Sequence, residues 1–375
     1  MIITFVIDSF TNKTDGTVIT ANRFAEQLRK RGHEVRICAI NVSGNGMYVL
    51  KERYIPLATY FSHKHGQSFA KPDRAVLASA MEGADVVHFF MPWKAAIVGK
   101  KIADKMGIAT TAAFHVHPQN MTYTIGKRLG KPLAELIFWL FRQRFYRHFD
   151  YIHCPSEFTA KELKKHKYKS NTVVISNGVS DVFKPTTMSK LDDGFFNVLM
   201  IGRLAREKRQ DVIVKAVMQS KYKDKIKLYF AGKGPERKRL EKLGSKLVNP
   251  PEFKFLPQSE LIDLIHNSDL YVHAADVEIE GIACLEALSC GKCMLFANSR
   301  LSATPQFAID ERSLFRAGDP RDLAQKIDFF IEHPEARREL EKRYAEKGKH
   351  FAIENSITLA EQFFEKAITT SRQTS

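Results

Sequence analysis

Residues 196–211 read Phe196-Asn-Val-Leu-Met-Ile201-Gly-Arg203-Leu-Ala-Arg-Glu-Lys208-Arg-Gln-Asp211. A six-residue run with five apolar side chains, Val198 and Ile201 among them β-branched, suits a strand buried on both faces, and the glycine and charges that follow end it. A helical pattern opens at about Val212. The stretch is therefore one strand-loop-helix unit, and the same unit recurs on either side of it. Downstream the strand-like runs are Ile226 to Ala231, Phe253 to Leu256, Leu270 to Ala274 and Met294 to Ala297. Upstream they are Ile2 to Ile7, Glu34 to Ile40, Asp85 to Phe90, Ile108 to Phe114 and Tyr151 to Pro155, with a first helix over Asn22 to Arg31 ending at Gly32. Such βα alternation predicts parallel sheets with helices on both faces.

Two series in 375 residues fit two domains, since single cores stop growing near roughly 250–300 residues. The polar segment Phe183 to Gly194, which carries Pro185, reads as the hinge. The expected division is residues 1–187, residues 188–354, and a C-terminal helix in 355–375 with apolar spacing at Ile357, Ala360, Phe363, Phe364 and Ala367 that could pack back on the first domain. The expected fold class is α/β, two Rossmann-like domains facing across a cleft, because open α/β sheets bind ligands outside the carboxyl ends of their strands.

Composition narrows the classes. At 44% hydrophobic and 27% charged, the chain can bury a large core, and no run has the 18 apolar residues a membrane span needs. Ile2 to Ile7 has no basic region before it and reads as a buried strand rather than a leader. Five cysteines form no disulfide framework, so a reducing cytosol is the expected compartment and Cys290 and Cys293 are expected as buried thiols. The net charge of +16 divides into +13 over residues 1–187 and +3 beyond, so the first half is expected to meet an anionic surface.

Three segments of the second half carry candidate chemistry. Arg203 and Lys208 share one strand-to-helix loop, where both could meet one anion, although a solvated charged loop explains them equally. Phe230-Ala-Gly232-Lys-Gly234-Pro-Glu236 follows a strand with glycines that would let backbone approach a ligand closely, or make a plain turn. In Glu278-Ile-Glu280-Gly281-Ile282-Ala-Cys-Leu-Glu286-Ala-Leu-Ser-Cys-Gly291, Gly281 opens a helix, so Glu278 and Glu286 flank a helix start that offers amides to phosphate or sugar oxygens, although a solvated Glu278 and Glu280 with Glu286 paired to a lysine explain the segment at least as well on its own.

Taken together and in this order, these segments resemble the family 4 retaining glycosyltransferases, which have two Rossmann-like domains in the GT-B arrangement. Ser176-Asn-Gly-Val179, Pro155-Ser-Glu157 and His115 support the resemblance, which covers nearly the whole chain. It implies that Arg203 and Lys208 hold the diphosphate of a nucleotide sugar and stabilise the charge growing on it. It also implies that Glu286 binds the ribose and that Glu278, with backbone at Gly281 and Ile282, binds the sugar hydroxyls. Gly16, in the loop Thr14 to Val18, would let the first domain close on the donor, and His115 would hydrogen-bond near the reacting carbon. His115, Arg203, Lys208 and Glu278 are thus the expected catalytic group. No metal or cofactor is implied beyond the UDP-sugar donor, and front-face internal return is the implied route to retention. Glu280 departs from the pattern, since an aromatic residue often stands there.

The acceptor side rests on the first half. Between Met121 and His148, Lys127, Arg128, Lys131, Arg142, Arg144 and Arg147 interleave with Phe138, Trp139, Phe145 and other aromatics, and Lys161 to Lys169 adds five lysines. Such a helix suits insertion into an anionic headgroup layer, or else a long core helix with basic ends. Glu278-Ile-Glu-Gly281, followed by residues 297–310, is similar to the branch that glucosylates diacylglycerol. The expectation is transfer of glucose from UDP-glucose to a membrane lipid by a cytoplasmic, peripheral enzyme whose membrane and acceptor contacts are Lys127, Arg128, Phe138, Trp139, Arg142 and Phe145. The same transfer to a polar cell-wall or capsule glycan is the alternative. No nucleic-acid recognition motif occurs.

Overall fold

The computed structural model describes residues 1–11, 15–54, 68–186 and 193–374. They form two units, one of residues 1–118, 131–177 and 353–375, the other of residues 119–130 and 178–352.

In the first unit, β1 (Ile2–Ser9), β2 (Glu34–Ile40), β3 (Met47–Leu50), β4 (Val86–Phe89), β5 (Ala109–Ala113), β6 (Tyr151–Cys154) and β7 (Asn171–Val174) make one sheet in the order β3-β2-β1-β4-β5-β6-β7. All its pairings are parallel. Period-two alternation divides β1 between two cores. Ile3, Phe5 and Ile7 join Phe24 and Leu28 of helix Gly16–Lys30 and Ile357, Phe363 and Phe364 of helix Ile353–Thr374. Val6 joins Leu77, Ala103, Phe138 and Tyr146 on the other side. Both faces are thus covered, as a parallel sheet requires. The first helix begins earlier than its apolar spacing indicates, because the Asp15 carboxylate accepts from the Thr17 and Val18 amides at 2.8 and 3.4 Å.

In the second unit, β8 (Phe196–Ile201), β9 (Ile226–Ala231), β10 (Glu252–Lys254), β11 (Leu270–His273), β13 (Met294–Asn298) and β15 (Leu314–Arg316) form a parallel sheet in the order β10-β9-β8-β11-β13-β15. A separate pair, β12 (Val277–Glu278) and β14 (Leu301–Ser302), stands beside it. Chain order reverses between β8 and β11, which makes the carboxyl ends of those two strands the switch point where such sheets bind ligands.

The expected boundary at 187 falls outside the described residues, which resume at 193. The change of unit comes earlier, after Asn177, because the Val179 amide donates to the Phe351 carbonyl at 2.8 Å and Val179 bridges Ala352. All five cysteines are free and buried, Cys290 and Cys293 among them.

Candidate functional site

The loop leaving β8 and the segment leaving β11 meet at the switch point, where the Asp276 amide donates to the Glu207 carbonyl at 2.8 Å. The first of these carries Gly202, Arg203 and a 3₁₀ turn at Arg206–Lys208, then enters helix Gln210–Gln219 through Arg209. A third loop braces it. The Leu204 amide donates to the Lys233 carbonyl at 2.9 Å, and a Cβ at Gly232 or Gly234 would stand only 2.0 Å from the Gly202 oxygen or 2.3 Å from the Leu204 oxygen. Those two glycines therefore serve the packing of loop on loop. Their close approach is to neighbouring backbone, where the sequence reading expected a ligand.

Beyond β11, Glu278 ends the short strand β12 and Gly281 takes φ = 92°, a left-handed conformation that suits glycine, to start helix Ile282–Ser289. Gly281 brings no side-chain cap to that helix, whose positive dipole end therefore lies at Gly281 and Ile282. Glu286 lies buried one turn in, and Glu280, where the family resemblance expects an aromatic, is buried as well.

Charge is held here in pairs. The Lys208 ammonium donates to the Glu278 carboxylate, which His273 Nε2 also contacts at 3.1 Å. Burial alone would raise the Glu278 pKa, but the Lys208 charge and the His273 hydrogen bond outweigh it and hold the carboxylate at about 2. His273 is itself pushed down by burial, against the pull of Glu278, so a neutral ring donating from Nε2 fits the contact. Arg203 Nη2 donates to buried Glu207 at 2.6 Å while its side chain stays 38% accessible. Arg209 donates to Asp276 at 2.9 Å and to Asp211 at 3.2 Å.

The structure thus brings Arg203, Lys208, Glu278, Gly281, Ile282 and Glu286 to one end of the second unit's sheet. Sequence reading missed Glu207, Arg209, His273 and Asp276, the partners that fix them. Only His273, at the carboxyl end of an expected strand, had a position that could have marked it. Tyr123 was missed too: it belongs to the second unit and donates its hydroxyl to Asp276.

Gly16 and His115 belong to the first unit. Gly16 is the first residue of its helix rather than part of a loop, and Thr14 lies outside the described residues. His115 follows β5, buried and stacked on Phe90 with ring centroids 5.8 Å apart. Burial and neighbouring His153 keep it neutral, and no group hydrogen-bonds its Nε2 among the described residues.

The basic aromatic helix spans Lys127–Arg144 and has two apolar faces. At 100° per residue, Gly130, Ala134 and Phe138 share one with Phe145 just beyond the helix, while Leu129, Leu133 and Leu136 lie opposite, with Trp139 about 60° further round. Phe138 and Phe145 are core residues, packed on Phe114 and Phe149, so neither can enter lipid as expected. Arg142 is also committed, donating to the His166 carbonyl at 2.9 Å. The exposed face is instead Leu129 (65%), Leu133 (37%), Leu136 (49%) and Trp139 (50%), with exposed Arg128, Lys131 and Arg144 around it. The Lys127 side chain lies outside the described residues. Among those residues no helix is long and apolar enough to cross a membrane, and no group of three or more His, Cys, Asp and Glu could hold a metal ion.

Comparison with known proteins follows these two units. The family descriptions Glycosyltransferase Family 4 and Glycosyl transferases group 1 match residues 14–182 and 187–350. The catalytic domain of cholesterol-alpha-glucosyltransferase from Helicobacter pylori is 46% identical over 42% of this chain and 99% of that one, with a TM-score of 0.41. Sucrose-phosphate synthase from Thermosynechococcus elongatus, 16% identical with a TM-score of 0.77, covers 98% of this chain and 99% of its own. HepE of Anabaena, solved with UDP-glucose, is 17% identical with a TM-score of 0.75 and the same coverage. No curated protein matches. The likeness to the last two structures shows two parallel-sheet α/β domains of the GT-B fold.

Proposed function

Because the chain is a glycosyltransferase of the family 4 type with the GT-B fold, we propose that it moves glucose from UDP-glucose onto a membrane lipid such as diacylglycerol, with retention and an α linkage. One observation carries the donor half of this reading: two cations, Arg203 and Lys208, held by the carboxylates of buried Glu207 and half-buried Glu278 at the switch point between β8 and β11. HepE, which shares the fold, is bound to UDP-glucose.

Lys208 has three N–H donors and spends one on Glu278, leaving others for a diphosphate oxygen. Arg203, oriented by Glu207, offers its guanidinium to the same group. As the sugar–phosphate bond breaks, negative charge grows on the departing diphosphate, and these fixed cations stabilise it without reorganising. Glu278, ionised down to about pH 2, accepts from the sugar hydroxyls beside the Gly281 and Ile282 backbone, and Glu286 accepts from the ribose. The departing phosphate oxygen takes the proton of the acceptor hydroxyl as that hydroxyl attacks from the same face, which gives retention.

The acceptor half rests on the exposed apolar face of helix Lys127–Arg144. Its leucines and Trp139, ringed by Arg128, Lys131 and Arg144, complement an anionic leaflet, with about 1 kcal/mol from each basic residue near the surface. The enzyme would then work at the cytoplasmic face, bound peripherally. Product mass analysis with UDP-glucose and a panel of diacylglycerol, a sterol and a polar glycan precursor tests this together with vesicle flotation. A hexosylated diacylglycerol is expected. A glycosylated polar product alone, or turnover and flotation indifferent to lipid, would remove the lipid acceptor, and a sterol product would change its class.

A further inference from the structure

Arg209 has φ = 55° and ψ = 35°, the left-handed region, at the junction between the Arg206–Lys208 turn and helix Gln210–Gln219. A non-glycine residue held there stores roughly 1 kcal/mol or more, and persists only where its surroundings over-determine it. Those surroundings are specific. The Arg209 guanidinium is forked between Asp211 and Asp276, and the Asp276 oxygen it reaches, Oδ2, is the one that accepts the Tyr123 hydroxyl. Asp276 is fixed by its backbone as well: its amide donates to Glu207, and its carbonyl accepts from Ser299 Oγ at 2.6 Å. The 3₁₀ turn Tyr123–Ile125 packs directly on the turn Arg206–Lys208.

We infer that Tyr123 is a positioning residue of the donor site, acting through Asp276 and Arg209 to hold the turn that presents Lys208. This rests on the donor-site reading above. The chain is arranged for the task, since residues 119–130 belong to the second unit although the residues on both sides of them belong to the first. The phenol stays a donor throughout the working range, because burial and the Asp276 carboxylate both raise its pKa. Without that donor the carboxylate keeps Arg209 but loses one of the two contacts that orient it. The left-handed residue is then less tightly determined and Lys208 samples positions away from the diphosphate.

The test is Tyr123→Phe, alone and combined with Asp276→Asn, with kcat, donor KM and UDP affinity measured beside the melting temperature. Tyr123→Phe should melt near the wild type yet lower kcat/KM for the donor about tenfold, the effect of one hydrogen bond to a charged group, with acceptor KM unchanged. In the Asp276→Asn background its effect should be smaller than in the wild type, because Tyr123 acts chiefly through that carboxylate and touches Arg209 beside it. Unchanged donor kinetics in Tyr123→Phe, or additive losses in the double variant, would overturn the inference. If the wild type bound no sugar nucleotide, the donor-site reading itself would have failed. Hydrogen exchange of the amides of residues 203–210 would still decide on the tether, with faster exchange in Tyr123→Phe supporting it and an unchanged pattern refuting it.

Discussion

In the first unit His88, His115 and His153 stand in one aromatic cluster, with ring centroids 5.2 Å apart for His115–His153 and 5.9 Å for His88–His153, and burial holds all three imidazoles neutral. In the second unit Lys208, Glu278, Arg203, Glu207, Arg209 and Asp276 are partly or fully buried as ions, each beside an opposite charge. The same cost, taking a polar group out of water, is met by neutralisation in one unit and by pairing in the other. A neutral ring cluster answers to pH. An ion-paired cluster answers to the loss of a partner, and keeps charge ready for an incoming diphosphate.

The largest expected effect separates the units by acid. His153 is lowered from an ordinary 6.5 to about 4, chiefly by burial, so below pH 6.5 the unfolded chain takes up protons that the folded unit refuses. Stability is complete above pH 6.5 and falls as pH drops towards 4, by roughly 3 kcal/mol for His153 alone, with His88 and His115 acting in the same direction. Glu278 behaves otherwise, since its stabilisation is lost only as pH falls from 4.5 towards 2. Both tryptophans, Trp93 and Trp139, lie in the first unit, so urea melts followed by tryptophan fluorescence report that unit alone. Their midpoint should fall between pH 6.5 and 4. A flat midpoint over that range would contradict the neutral-cluster description.

Next come losses of pairing. Lys208→Ala removes a charge-stabilising group and should lower kcat by roughly 10²- to 10³-fold in steady-state assays with UDP-glucose. Near-normal turnover would place the diphosphate elsewhere. Glu286→Ala should weaken UDP binding about tenfold by calorimetry and leave vesicle flotation intact. The smallest effect belongs to the helix surface: Leu133→Ser with Leu136→Ser and Trp139→Ser should lower anionic-vesicle binding roughly fivefold while UDP affinity stays unchanged. Equal flotation would show that this face serves something other than lipid.

The sheets were legible because buried parallel strands announce themselves as apolar runs, and Glu34–Ile40, Phe196–Ile201 and Ile226–Ala231 stand where the residues place them. Strands β3, β7 and β15 were not, since Met47–Leu50, Asn171–Val174 and Leu314–Arg316 are short edge or near-edge segments with exposed positions. The helix Lys127–Arg144 shows a different limit. Its apolar arc of roughly 200° is visible in the sequence, but only packing decides which half is core, and Phe138 and Phe145 went inward while Leu129, Leu133 and Leu136 stayed outside. At the candidate site the cations were legible from their loop. Asp276 and Tyr123 were not, because Asp276 meets Arg209 across 67 residues of sequence and Tyr123 meets Asp276 across 153, separations no local spacing records.

A crystal structure with UDP bound tests the central claim most directly. The pyrophosphate should lie within hydrogen-bond distance of Arg203 and Lys208 at the carboxyl ends of β8 and β11, with the ribose hydroxyls on Glu286. Nucleotide density at any other place on the second unit, with both cations still closed on their carboxylates, would contradict it.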